Sequence, residues 1–200
     1  MTTKDAQRLS ARERLLAAAT ELFYEEGVNT VGIDRVIERA GVAKASLYNA
    51  FGSKEELIRS YLDGRQEARR ARIEKGLGRF KTPRDKLLGI FDLLGELFTD
   101  PRFRGCAFMR ASAEAREGTL VQAAVERSRA WMRSLFVELA RDAGSPHPER
   151  LAQQLGVIYD GATVTAQLEH EPDIAREAKL MAAALLDADL ATIKPKRVGK

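Results

Sequence analysis

Residues Thr30–Leu57 read TVGIDRVIERAGVAKASLYNAFGSKEEL. Ile33, Val36, Ile37 and Ala40 recur at i, i+3, i+4 and i+7, the spacing of one apolar helix face. Gly41 interrupts that pattern with a residue that takes left-handed conformations at little cost. A second apolar set, Val42, Leu47 and Phe51, follows at once and is stopped by Gly52, which predicts a short helix over Ala43–Ala50. Two short helices across a glycine turn are the geometry that presents a second helix to the major groove. With Val42 and Leu47 turned inward, Lys44, Ala45, Ser46, Tyr48 and Asn49 remain on the outer side. Lysine and tyrosine reach phosphates or base edges, and asparagine can make paired bonds to adenine. Ala45 and Ser46 are small enough to let the helix approach the groove floor. Lys54, in the first turn of the next helix, adds its charge to the free backbone N–H groups there as a phosphate clamp. Periodicity alone leaves another reading open. Three short amphipathic helices also suit one end of a helical bundle, with Tyr48 a half-buried packing residue and Lys44 and Lys54 ordinary solubilising charges.

Upstream, Ser10 and Glu13 form a capping box that starts a first helix. Leu15, Ala18, Ala19 and Leu22 share its face, with Leu16 and Phe23 alongside, and Gly27 ends it. A polar arm carrying Lys4 and Arg8 precedes it. Downstream, Ser53 and Glu56 repeat the capping box ahead of Leu57, Ile58, Tyr61 and Leu62. The charged stretch Arg65–Lys75 is expected to bridge head and body, and Gly76-Leu77-Gly78 to be a loop. Thr82-Pro83 reads as a cap and a first-turn proline, followed by Leu87, Phe91, Leu94 and Phe98 on one face. Asp100–Gly105 is a break and Cys106–Glu117 a short helix. Val121, Ala124, Val125, Ser128, Trp131, Met132, Leu135, Phe136 and Leu139 mark a longer one. Gly144–Pro148 is a loop on composition. Two last helices carry Leu151, Leu155, Ile158, Tyr159, Ala162 and Ala166, then Ile174, Ala178, Met181, Ala182 and Leu185. The basic tail Lys194–Lys200 is expected to fray.

The chain has 200 residues, 44% apolar and 31% charged, with a net charge of +4. The apolar share is ordinary for a globular protein, and the mixed charges read as solvated helix faces. A sequence pI near 9.3 is compatible with a nucleic-acid partner without demonstrating one. The single cysteine, Cys106, allows no disulfide framework within the chain and suits a reducing cytoplasm. Met1–Ser10 is too polar for a signal peptide, and no apolar run approaches the roughly 20 residues needed to span a bilayer. Catalytic signatures are missing. The only histidines are His147 and His170, with no HExxH, paired CxxC or GxSxG. Gly52-Ser53-Lys54 has the wrong order for a phosphate loop. No catalytic residue, metal site or cofactor is assigned, although a helical enzyme can hold carboxylates such as Asp160 and Glu169 in its core.

The second half is rich in large adaptable side chains. Phe91, Phe98, Phe108, Met109, Trp131, Met132, Phe136 and Tyr159 can line an apolar cavity, or form a plain core. Arg110 and Glu114, at i and i+4, fit either a polar ligand or a surface ion pair. Cys106 fits a redox sensor or, beside Phe108, a buried thiol. Gly156, Gly161, Ala162 and Ala166, with Ala182–Ala184, permit close helix approach, either inside one chain or between two. A single recognition helix reads few bases, and two-fold dimers reading a palindrome solve this.

The run Ala40-Gly41-Val42, then Leu47-Tyr48, Phe51, and Ser53-Lys54 with Leu57 resembles, in order and spacing, the DNA-binding signature of the TetR family of transcriptional regulators. The likeness covers about residues 10–62, and the body resembles the family only in helix number and length. It implies an all-α fold of about nine helices. A three-helix helix-turn-helix DNA-binding domain would occupy 1–55, and a helical ligand-binding and dimerisation domain 56–200. It further implies a cytoplasmic homodimeric regulator, a repressor by family habit with activation also open, on palindromic double-stranded DNA. A partly apolar small-molecule effector would release it, without cofactor or membrane. By the same resemblance Lys44, Ala45, Ser46, Tyr48, Asn49 and Lys54 face DNA, with Thr30 an accessory contact. Two positions depart from the pattern. Gly32 stands where a capping Thr or Ser is common, and Ile37 where a small residue is usual. The competing function is a helical small-molecule-binding or scaffolding protein without sequence-specific DNA binding.

Overall fold

The computed structural model describes residues 9–116 and 118–192. The polar arm with Lys4 and Arg8 and the basic tail Lys194–Lys200 lie outside these residues. Among the described residues there are nine helices and no strand, as the all-α expectation requires. They are α1 Ala11–Glu26, α2 Ile33–Ala40, α3 Lys44–Phe51, α4 Lys54–Leu77, α5 Pro83–Phe98, α6 Ala107–Glu114, α7 Leu120–Asp142, α8 Pro148–Glu169 and α9 Ile174–Ala191.

Local chemistry sets the boundaries that matter for the head. Ser10 caps α1 in a reciprocal box: its side chain accepts from Glu13 N–H at 3.2 Å while Glu13 Oε2 accepts from Ser10 N–H at 2.8 Å. The Ser10 hydroxyl, which donates to Glu13 Oε2 at 2.8 Å, and the Ser10 N–H, with Arg12 close by, hold the exposed Glu13 carboxyl below the usual carboxylate range. Gly41, at φ 62° and ψ 45°, closes α2 in the left-handed conformation, which explains a glycine there. Ser53 Oγ accepts from Glu56 N–H at 3.1 Å at the start of α4. In the body, Thr82 caps α5 through Asp85 N–H at 3.0 Å, with Pro83 at the first helical position.

Several boundaries differ from the sequence reading: α3 is Lys44–Phe51 where the sequence predicts Ala43–Ala50, α6 is Ala107–Glu114 within the expected Cys106–Glu117, and Pro148 opens α8. Gly76 and Leu77 are the last turn of α4 and not part of a loop. Gly76 is there for packing: a Cβ at this position would stand 2.3 Å from Leu93 Cδ2. The glycine lets α5 lie close against the end of α4, at the usual propensity cost of a mid-helix glycine.

The chain resolves into two compact units. One gathers the residues up to Ala68 together with Cys106–Ser128. Its core joins Leu15, Ala19 and Leu22 of α1, Val36 of α2, Leu47 and Phe51 of α3, and Leu57, Tyr61 and Leu62 of α4 to Phe108, Ala111, Val121 and Val125. Phe23 meets Tyr61 edge-on at 5.7 Å, and burial pushes the Tyr61 hydroxyl up to about 12. The other unit comprises Arg69–Gly105 and the residues from Arg129 onward. There α9 packs on both α5 and α8, around Leu87, Phe91, Leu94, Phe136, Leu155 and Leu186.

Candidate functional site

The head is built so that α3 has one face to give away. Leu47 and Phe51 are buried in the core, and Val42 is half-buried at the turn. Lys44, Ala45, Tyr48 and Asn49 are exposed, and Ser46 is half-buried. Tyr48 keeps 46% of its surface open, large for an aromatic side chain. The sequence therefore places the outward set correctly as a surface, with Ser46 at its edge. Thr30 is exposed in the link before α2, and Lys54 is half-buried in the first turn of α4. Burial pulls the Lys54 ammonium below its ordinary pKa, and the Glu114 carboxylate partly offsets that.

Arg14 positions the turn between α2 and α3. Its Nη1 donates to the Gly41 carbonyl at 3.1 Å and to the Ala40 carbonyl at 3.4 Å. These are among the carbonyls a helix C-terminus leaves without intrahelical partners. The N-terminus of α2 lacks such help: Gly32 provides no side-chain cap, as its identity requires. Ile37 is half-buried against the head core, so its extra bulk is accommodated.

Two acidic residues outside the expected set also belong to this region. Asp34 Oδ1 accepts from Lys44 Nζ at 2.9 Å, and the bond raises the lysine's pKa. Glu114 Oε2 accepts from Asn29 N–H at 2.7 Å, while Asn29 Nδ2 donates to the Glu114 carbonyl at 3.1 Å. Arg110 donates to the Tyr24 carbonyl. Arg110 thus binds the last turn of α1, and Glu114 the segment between α1 and α2. Neither pairing has a signal in the sequence, because both depend on contacts between separate elements.

The eight residues expected around a body cavity do not all meet. Phe91, Phe136 and Tyr159 form a buried triangle with ring centroids 6.0–6.4 Å apart. Phe98 and Met132 share that core, and Trp131 is half-buried against it. The indole of Trp131 carries the guanidinium groups of Arg69 and Arg70 at 5.5 and 5.2 Å. Phe108 belongs instead to the core of the head-bearing unit, and Met109 is half-buried. Cys106 is half-buried as the residue that precedes α6. Among the described residues no cluster of His, Cys, Asp and Glu could hold a metal ion. No helix there is long and apolar enough to cross a membrane.

A glycine-turned helix pair with an exposed polar face, on an otherwise helical chain, defines a helix-turn-helix DNA-binding protein. The family described as bacterial regulatory proteins, tetR family, matches residues 15–61. The TetR-family transcriptional regulator SCO4454 from Streptomyces coelicolor is 30% identical with a TM-score of 0.82, covering 90% of this chain and 96% of that one. A tetR transcriptional regulator from Streptomyces avermitilis, sav143, is likewise 30% identical, at TM-score 0.80 over 90% and 98% of the two chains. The chain belongs to the TetR family of transcriptional regulators. The transcriptional activator FasR of Mycolicibacterium smegmatis is 45% identical over 51 residues, 26% of this chain and 23% of its own length. The transcriptional repressor KstR2 of the same organism is 29% identical over 86 residues, 43% and 42% of the two chains. Matches to these curated relatives span less than half of their length.

Proposed function

We propose that this regulator is a homodimeric repressor, in which residues 1–55 read palindromic duplex DNA and residues 56–200 dimerise and take a small effector. One observation carries the reading: α3 buries Leu47 and Phe51 and gives Lys44, Ala45, Tyr48 and Asn49 to solvent. Those side chains supply a cation, a phenol and an amide to a groove floor that Ala45 leaves room to approach, with Ser46 beside them. Lys54 and Thr30 add contacts to the phosphate backbone on either side. Such contacts fix register, and base-edge contacts supply selectivity. The reading places the protein on DNA in the cytoplasm.

The dimer is supported by an apolar stripe. Val157, Val164 and Leu168 on α8 stand at i, i+7 and i+11, all exposed, at 69%, 38% and 73%. Leu180 and Met181 on α9 are exposed too. Contiguous exposed apolar residues mark an interaction surface. Two such helices from each of two copies make a four-helix bundle, with Gly161 leaving room on the same stripe. The effector site belongs to Phe91, Phe98, Trp131, Met132, Phe136 and Tyr159, with Phe108 and Met109 as a separate group. An effector releases DNA only if it binds the DNA-incompetent dimer more tightly than the competent one. Repression follows the sign in the name of KstR2, whose match is the longer of the two relatives described.

Selection from a randomised duplex pool tests the reading. The expected product is an inverted repeat whose half-sites are separated by about one helical turn or a multiple of it. Tyr48→Ala should weaken binding to that duplex by about 1–3 kcal/mol with an unchanged melting temperature. A pool that never enriches would overturn the DNA-reading assignment.

A further inference from the structure

We propose that Asp34 is a specificity-determining residue: its carboxylate, seated beside Lys44 on the reading face, disfavours docking on bare phosphate and favours sites that offer it an amino donor from a base edge. The proposal rests on the DNA-reading function above.

The head holds no surplus of positive charge. Between Ser10 and Leu62 there are seven basic and eight acidic residues, so generic attraction to a polyanion is weak across this segment. Several of its cations are also engaged by neighbours. Arg35 pairs with Glu26, Arg39 with Glu21, and Arg59 with both Glu56 and Asp63. Non-specific DNA binding draws almost entirely on lysines and arginines that displace counterions from phosphates. On such a head one added or removed charge at the reading face counts for much.

Asp34 is that charge. Its side chain is 80% exposed and its carboxylate lies 2.9 Å from the ammonium of Lys44. A first-turn aspartate is favourable for the α2 dipole, but the dipole does not require the bond to Lys44, which crosses the turn from one helix to the other. Two consequences follow when the face meets a duplex. If Lys44 turns to a phosphate, Asp34 is left uncompensated against a polyanion, and the gain from one charge is cancelled by the other. If the face meets the edge of a base pair, the two groups have separate partners. Lys44 can donate to guanine O6 and N7, and Asp34 can accept from the amino group of cytosine N4. The adjacent cation and carboxylate therefore match the donor and acceptor pattern of a G·C edge and mismatch the backbone.

Binding is measured for the full chain as wild type, Asp34→Asn and Asp34→Glu. Two duplexes of equal length are used, one recovered by selection with the wild type and one of scrambled sequence, over a range of salt. Asp34→Asn should tighten binding to the scrambled duplex by about 5-fold or more and steepen its salt dependence by about one counterion. Binding to the selected duplex should change by less than about 2-fold, so that the specificity ratio falls. Asp34→Glu should keep the wild-type ratio. An unchanged scrambled-duplex affinity and ratio in Asp34→Asn overturns the proposal. So does equal loss on both duplexes with a lowered melting temperature, which marks a purely structural role. A wild type that yields no selected duplex sinks the DNA-reading function itself, an outcome distinct from either.

Discussion

Replacing Phe136 by alanine is expected to lower the unfolding free energy by about 3–5 kcal/mol. The ring is 1% exposed and stands 6.3 Å from Phe91 and 6.0 Å from Tyr159. Truncation loses the transfer free energy of the ring, the two aromatic contacts, and the packing of whatever cannot collapse into the space. The Phe91 and Phe136 rings are stacked at 28°, and Tyr159 meets Phe136 nearly edge-on at 73°, geometries that add to simple burial. Urea unfolding followed by circular dichroism gives the number. A loss below about 1 kcal/mol would mean that the ring faces space rather than neighbours. That outcome would mean an effector cavity already open before the effector arrives, whereas the packed rings require the effector to part them.

Leu168→Lys is expected to convert the proposed dimer to a monomer. Among the described residues Leu168 is the most exposed of the large apolar side chains, and Val157 and Val164 continue its stripe along α8. In an isologous interface one substitution acts twice, since both copies carry it near the same axis. Two ammonium groups would then be desolvated without partners, at a cost that a modest interface cannot meet. Sedimentation should report half the wild-type mass, with helical content retained because the residue is exposed within its own chain. DNA affinity should fall steeply as well, since the second head gains its advantage only from being tethered to the first. Lysine at Glu138, exposed on α7, serves as the control and should leave the mass unchanged. A Leu168→Lys protein that stays dimeric would remove α8 from the interface.

The head was legible in the sequence because its determinants are local. Ser10 with Glu13, Gly41 and Gly52 act within a few residues of the boundaries they set, and the period of Leu15, Ala18, Ala19 and Leu22 names the buried face directly. The end of α4 is hidden from sequence for the opposite reason. Glycine is a breaker by propensity, and only the approach of Leu93 explains why Gly76 sits inside a helix. Long-range partners were equally hidden. Phe108 carries the same apolar signal as Phe91, yet one belongs to the core that holds Leu15 and Leu57 and the other packs with Phe136. Arg110 and Glu114 have the spacing of an ion pair, but each finds a backbone partner some 85 residues away along the chain. The charge of Asp34 was visible; its bond to Lys44 exists only once the glycine turn has folded.

The central claim, that the helix after Gly41 enters the groove, is tested most directly by lysine modification read by mass spectrometry with and without the selected duplex. Lys44 and Lys81 are both exposed, one on α3 and one in the link before α5, in different compact units. Strong protection of Lys44 by the selected duplex, with Lys81 modified as before, is the expected result. Equal modification of Lys44 in the presence and absence of bound duplex would contradict it.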